Sequence, residues 1–225
     1  MAEVHGVAGE WARVKGTVAG LWPLFAGVFA LGFSSAVAAF VNLEAGAVAV
    51  AASLAWIGCS VYKGARHVER YFKGARGEER VAGILKSLPA QYHVFNDFVA
   101  CGVHVDHVVA GPAGVYAVET KYWRGVVTIE DGHILLDGQL PSRSPLAQVR
   151  KEAALVKSAL EKAGWKGDVT PVLAFASDTF SAHVAEVQGA VVINSCDLRN
   201  SFETDRVVIA QPELDRLVRL MESNS

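Results

Sequence analysis

The sequence predicts an α/β or α+β core carried behind a two-helix transmembrane hairpin. Three observations lead to this. Two adjacent runs, 16–43 and 45–62, hold no charged residue and are separated by Glu44 alone. After residue 76, segments of helical periodicity alternate with short β-rich runs bounded by Gly and Pro. The 225 residues balance 21 Lys+Arg against 23 Asp+Glu, with 52% apolar residues and a mean hydropathy of +0.27. That composition excludes a disordered chain and a histone-like blanket of positive charge. Cys59, Cys101 and Cys196 are odd in number and far apart, which argues against a disulfide framework or a CxxC zinc site and suits a reducing compartment.

The N-terminal elements come first. A bilayer-spanning helix needs about 20 mostly apolar residues. The first run meets this over about 17–41 and the second over about 46–62, where Tyr62 and the stem of Lys63 extend it by snorkelling. Small residues four apart (Ala26 and Ala30, Gly32 and Ala36, Ala51 and Ala55) suit close helix packing in lipid. Arg13 and Lys15 precede the first span, Lys63, Arg66, Arg70, Lys73 and Arg76 follow the second, and the connecting turn has no Lys or Arg. The positive-inside rule then places both termini in the cytoplasm, with the chain as a multi-pass protein of the cytoplasmic (inner) membrane. A signal peptide is the competing reading, with Ala36-Val37-Ala38 resembling a cleavage site. The apolar run is longer than an h-region of about 7–15 residues. The expected organisation is a hairpin segment over 1–62, a basic neck over 63–76 and a soluble domain over 77–225.

In the soluble part, Val81, Ile84, Leu85 and Leu88 recur at helical spacing, and Pro89 ends a helix over about 77–88. Strands are expected at 91–98, 103–110 and 113–121, punctuated by Gly102 and Gly111-Pro112. A hairpin joins 126–130 to 133–136 across Asp131-Gly132. Ser144 caps a helix with Pro145 at its first position and an apolar stripe of Leu146, Val149, Ala153, Val156 and Leu160. The run 169–176 reads as a buried strand, 191–194 as a short one, and 212–222 as an amphipathic helix. The segment 203–206 carries no recognised motif.

Candidate chemistry concentrates in the middle of the chain. Asp106 interrupts an apolar strand, and period two places it on the face of His104 and Val108. Glu119 and Lys121 share a face at the end of the next strand. Neighbouring strands bring Asp106 and Glu119 together, and like charges so close need a proton or a divalent cation between them. Oxygen ligands of this kind suit Mg²⁺ or Mn²⁺ rather than zinc. Glu78 falls on the buried edge of its helix, whereas Glu79 points away. Gln148 sits at the border of the later helix's stripe, where it can donate to a phosphate or to a catalytic carboxylate. Taken singly, each has a plainer reading: a solvated strand end, a turn residue, an acid favoured by the helix dipole, a surface amide. The arrangement carries the weight. The seven histidines show no zinc spacing.

These residues resemble the PD-(D/E)xK nuclease superfamily, and more closely its NERD (nuclease-related) domain. The matching pieces are Gly74-Ala75-Arg76-Gly77-Glu78, Val105-Asp106-His107-Val108-Val109, Gly114-Val115-Tyr116-Ala117-Val118-Glu119-Thr120-Lys121 with Trp123 and Gly125, and Pro145 with Gln148. They span about 70–180. The resemblance implies a restriction-endonuclease-like α/β fold, a mixed sheet flanked by helices. It implies Asp106 and Glu119 as metal ligands with Glu78 as an accessory acid, Lys121 as the residue positioning a water, and Mg²⁺ (or Mn²⁺) as cofactor. It departs at Val105, where a Pro often stands, and at Glu152, where an aromatic residue often follows the helix Gln. The implied activity is metal-assisted phosphodiester hydrolysis, of DNA rather than RNA. Arg76, Arg80, Arg124, Arg143, Arg150 and Lys151 are available to grip phosphates, and Trp123 to stack on a base or to pack. Two other readings fit the same letters: a catalytically silent module that binds nucleic acid or protein at the bilayer, and a structural anchor whose hairpin is the functional part.

Overall fold

The computed structural model describes residues 1–177, 180, 183–202 and 207–223; the motif-free segment 203–206 lies outside them. The chain divides into two compact units, one made of Met1–Gly9 with Arg76–Ser225 and the other of Glu10–Ala75.

The smaller unit is a helical hairpin. α1 runs Glu10–Phe40, and α2 starts at Leu43 within the element Leu43–Lys86. The basic stretch over 63–76 is helical and lies within this element. Nothing in it breaks a helix, and α2 runs through it without interruption. Both helices are long and apolar enough to cross a membrane. Their large apolar side chains, among them Leu21, Phe25, Phe29, Phe33, Val48 and Leu54, are exposed. The seam between them is built from small residues seven apart. Gly20, Gly27 and Ser34 are buried on α1, as are Gly46, Ser53 and Ser60 on α2. A Cβ on Gly20 would stand 2.6 Å from Val68 Cγ2 and 3.2 Å from Gly64 O. Ser34 Oγ and Ser53 Oγ are 3.3 Å apart. A seven-residue repeat keeps one seam facing a partner helix, as in a left-handed coil. The four-residue pairs read from the sequence lie elsewhere. Ala26, Ala30, Gly32, Ala36, Ala51 and Ala55 are all exposed, and a Cβ on Gly32 would meet nothing within 4 Å. Spacing of small residues does not by itself say which face turns inward.

The larger unit is a mixed sheet covered on both faces. Its strands are β1 Glu3–His5, β2 His93–Ala100, β3 Val103–Gly111, β4 Gly114–Lys121, β7 Val169–Phe175, β8 Val184–Val187 and β9 Ala190–Asn194. Their order across the sheet is β1-β2-β3-β4-β7-β9-β8. β2, β3 and β4 form an antiparallel meander, while β4, β7 and β9 run parallel. The crossover from β4 to β7 carries a separate hairpin, β5 Val127–Glu130 with β6 His133–Leu136, and then helix α3, Pro145–Lys162. Asp131 and Gly132 both take positive φ (49° and 75°), the conformation a two-residue hairpin turn needs. Ser144 Oγ accepts from the Ala147 N–H at 3.2 Å and so caps α3.

Alternation along the strands feeds two layers. Val115 and Ala117 of β4 pack with Val156 and Leu160 of α3 and with Leu214 and Leu217 of α5 (Gln211–Glu222). Val118 and its neighbours Val109 and Val172 pack against Val81 and Leu85 of α2 and against Leu198 and Phe202 of α4 (Leu198–Phe202). The expectation of a mixed sheet flanked by helices holds. Strands β1 and β8 and helix α4 are additions that the sequence reading did not include.

Candidate active site

Two structural accidents of the meander create the site. β3 and β4 are paired from Gly111↔Gly114 to His107↔Val118. The pairing ends there, and the next residues along the two strands are Asp106 and Glu119, whose charges act on each other. On its other side, β3 meets β2 through Asn96↔His107 and Phe98↔Val105, and between them Asp97 takes a φ of 50°. The alternation of β3 breaks here. Val105 and Val108, three residues apart, pack into the same core cluster. Asp106 therefore does not follow the simple two-residue rule that put it with His104 and Val108. Its Oδ2 accepts the Thr120 backbone N–H of β4 at 2.8 Å.

Glu119 and Lys121 share the face of β4 that packs on α3, as period two requires. The Lys121 ammonium donates to Glu119 Oε1 and to Gln148 Oε1 at 3.0 Å. Gln148 sits one turn into α3, and its Nε2 donates to Glu119 Oε1 at 2.7 Å. The same nitrogen donates to Glu152 Oε1 at 2.9 Å. Both amide hydrogens and the amide oxygen of Gln148 are thus engaged, which fixes the orientation of the group. Glu78 is buried on α2, in the part that packs on the sheet, and Glu79 is exposed. Its charge acts on Asp106.

The electrostatics follow from crowding three acids at a partly buried sheet end. Burial raises the Asp106 carboxyl well above its usual range. Glu119 and Glu78 raise it further, against the opposing pull of the Thr120 N–H and of Lys121. Burial alone would lower the Lys121 amine, but Glu119, its hydrogen-bond partner, outweighs that together with Asp106 and Glu152, and the net shift is upward. Glu152 is pushed up to about 8, first by burial and then by the neighbouring Glu119. His107, next to Asp106, belongs to the core instead. Burial drives it down to about 3, and its Nδ1 pairs with Asn96 Oδ1 at 2.8 Å.

Residues 73–176 match the NERD family, the nuclease-related domain. The chain carries a nuclease-related domain. No curated protein and no solved structure matches the chain.

All five residues singled out from the sequence, Asp106, Glu119, Lys121, Gln148 and Glu78, meet in this nuclease-related domain. The residue missed is Glu152. It occupies the place where an aromatic was expected, and it ties down Gln148 from the other side. Its sequence signal was available: an acid four residues after Gln148, inside the apolar stripe between Val149, Ala153 and Val156. Trp123 packs against Phe175, with ring centroids 5.5 Å apart, so its packing role is realised. Tyr122 beside it is the exposed aromatic.

Proposed function

We propose that this chain is a membrane-anchored, divalent-metal-dependent nuclease that hydrolyses phosphodiester bonds, of DNA, on the cytoplasmic face. The observation that carries the reading is the Lys121–Glu119–Gln148 network with Asp106 bonded to the backbone of Thr120 between Glu119 and Lys121. The site's donor chemistry fits the implied ion. Asp106, Glu119 and Glu78 offer hard oxygens, and the Asp106 carboxyl is raised first by burial and then by the charges of Glu119 and Glu78. Such a set suits Mg²⁺ or Mn²⁺. Asp106, Glu119 and Glu78 are the residues that would hold it. When bound, such an ion supplies Lewis acidity toward a phosphate oxygen and lowers the pKa of water.

The chain's own groups do the rest. Lys121 is held by Gln148 on one side and Glu119 on the other. That leaves one ammonium hydrogen to orient a water in line with the scissile phosphorus. Its fixed positive charge offsets the charge that grows on the phosphoryl oxygens as the water oxygen bonds to phosphorus and the opposite P–O bond breaks. Arg76, Arg124, Arg143, Arg150 and Lys151 are exposed. Their charge supports sequence-independent contact with the nucleic-acid backbone. Membrane anchoring rests on the outward-facing apolar side chains of α1 and α2. The side of the membrane rests on the Lys and Arg flanks.

The test uses the full-length chain in detergent micelles with linear and circular DNA. Cleavage is expected with Mg²⁺ or Mn²⁺ and not with excess chelator. Asp106→Asn, Glu119→Gln and Lys121→Met should each lower the rate at least about a hundredfold while leaving the unfolding transition cooperative. Equal cleavage by the three variants would end the assignment. DNA binding without cleavage under any divalent ion would favour the silent module.

A further inference from the structure

Away from that site, the edge of the sheet gathers a second and chemically different set of ligands. β1 runs parallel to β2 with the register Glu3↔His93, Val4↔Val94 and His5↔Phe95. Glu3 and His5 are two residues apart and share a face, and His93 is the direct partner of Glu3. One ligand atom from each of Glu3, His5 and His93 can be chosen so that all three lie within 4.8 Å of one another.

The two imidazoles are held in unusual states for edge histidines. The His5 ring stacks on Phe95 at 4.4 Å with a 10° angle between planes, and it faces His93 at 6.1 Å and 25°. His5 Nε2 and His93 Nδ1 are both shut off from solvent and make no hydrogen bond. Buried ring nitrogens without a hydrogen bond are costly, and such cases call for an explanation. His93 Nδ1 lies 3.4 Å from Glu3 Oε2. On the far side of His5, its Nδ1 lies 3.6 Å from Glu222 Oε1 of α5. A carboxylate behind one imidazole nitrogen leaves the other nitrogen free to bind a metal and raises its basicity.

We propose that Glu3, His5 and His93 form a zinc site, with Glu222 as the positioning residue behind His5. Two imidazole nitrogens and one carboxylate match zinc and not Mg²⁺, which prefers oxygen alone. Three protein ligands leave a fourth position for water. Tetrahedral donors at about 2.0–2.1 Å from zinc sit about 3.4 Å apart, so the set must contract. Glu3, whose side chain is 63% exposed, has the freedom to close on the ion, while the two rings keep their stacked planes. The bound ion would pin β1 to β2, where three residue pairs otherwise hold it. It would thereby fasten the segment that leads into α1 at Glu10. This site stands independently of the nuclease reading.

The experiment is a calorimetric titration of the metal-stripped full-length chain in detergent with ZnCl₂. Wild type, His93→Ala, Glu222→Gln and Glu119→Gln are compared. The proposal expects His93→Ala to lose one zinc equivalent that Glu119→Gln retains. Glu222→Gln should keep that equivalent with an affinity weakened about 10–100-fold. Equal stoichiometry and affinity in wild type and His93→Ala would overturn it. Should His93→Ala fail to fold, the wild-type chain titrated with Co²⁺ decides. A visible ligand-field band of four-coordinate cobalt that ZnCl₂ displaces supports the site, and no such band rejects it.

Discussion

A carboxyl group buried beside a second carboxylate holds its proton more tightly in the folded chain than in the unfolded one. Glu152 is in that position, moved from 4.5 to about 8 by burial and by Glu119. The folded state therefore binds more protons than the unfolded state between those values, and stability falls as pH rises through that window. In chelator, Glu152→Gln should flatten this slope and raise the melting temperature at pH 8 relative to wild type. Parallel pH–Tm profiles for the two proteins would contradict it. His107 acts in the opposite sense. Its depressed value, about 3 against 6.5, means that the unfolded chain takes up the proton first. Stability is full above pH 6.5 and is lost as pH falls toward 3. His107→Asn should reduce the acid dependence measured by circular dichroism over that range. The sequence reading gave neither residue its buried role, although Glu152 stands inside the apolar stripe of α3. Glu152 looked like a departure from a pattern, and His107 looked like a neighbour of the acid, because burial is not written in single letters.

At the scale of elements, the hairpin seam and the helix caps carry the measurable differences. Gly20→Leu puts a branched side chain where even a Cβ would stand 2.6 Å from Val68. It should cost about 1–3 kcal/mol of hairpin stability, read as earlier loss of helicity on denaturation in detergent. Gly32→Leu, at an open position, should leave that transition in place. Equal effects at the two positions would refute the seven-residue seam. Ser144→Ala removes the cap of α3 and should cost about 1 kcal/mol. Long periodic elements were legible. α3, the meander and the Asp131-Gly132 hairpin fall where spacing and turn residues put them. β8 was missed although Gln188-Gly189, with φ of 50° and 75°, repeats the same turn geometry before β9. Four residues flanking a turn give too short an alternation to separate from a loop. The three residues of β1 gave still less, since that strand exists only because β2 offers an open edge.

For the whole molecule, the positive flanks predict that Cys101 and Cys196, both exposed, lie inside the cell. In intact cells a membrane-impermeant maleimide should leave them unlabelled and should react after permeabilisation. Labelling of both before permeabilisation would reverse the orientation. The sequence by itself determined the charge-free runs, the succession of the meander, the Asp131-Gly132 hairpin, α3 and the buried strand after it, and the resemblance of about 70–180 to nuclease-related domains. Those features are local: they depend on period, turn chemistry and a motif confined to one stretch of chain. Only the tertiary structure decided which small residues face each other across the hairpin. Only it decided that Glu152 completes the Gln148 network and that Glu3, His5 and His93 meet at one sheet edge. Each of these depends on register between segments far apart in the chain, and a strand's register is set by the packing of both its faces rather than by its own residues.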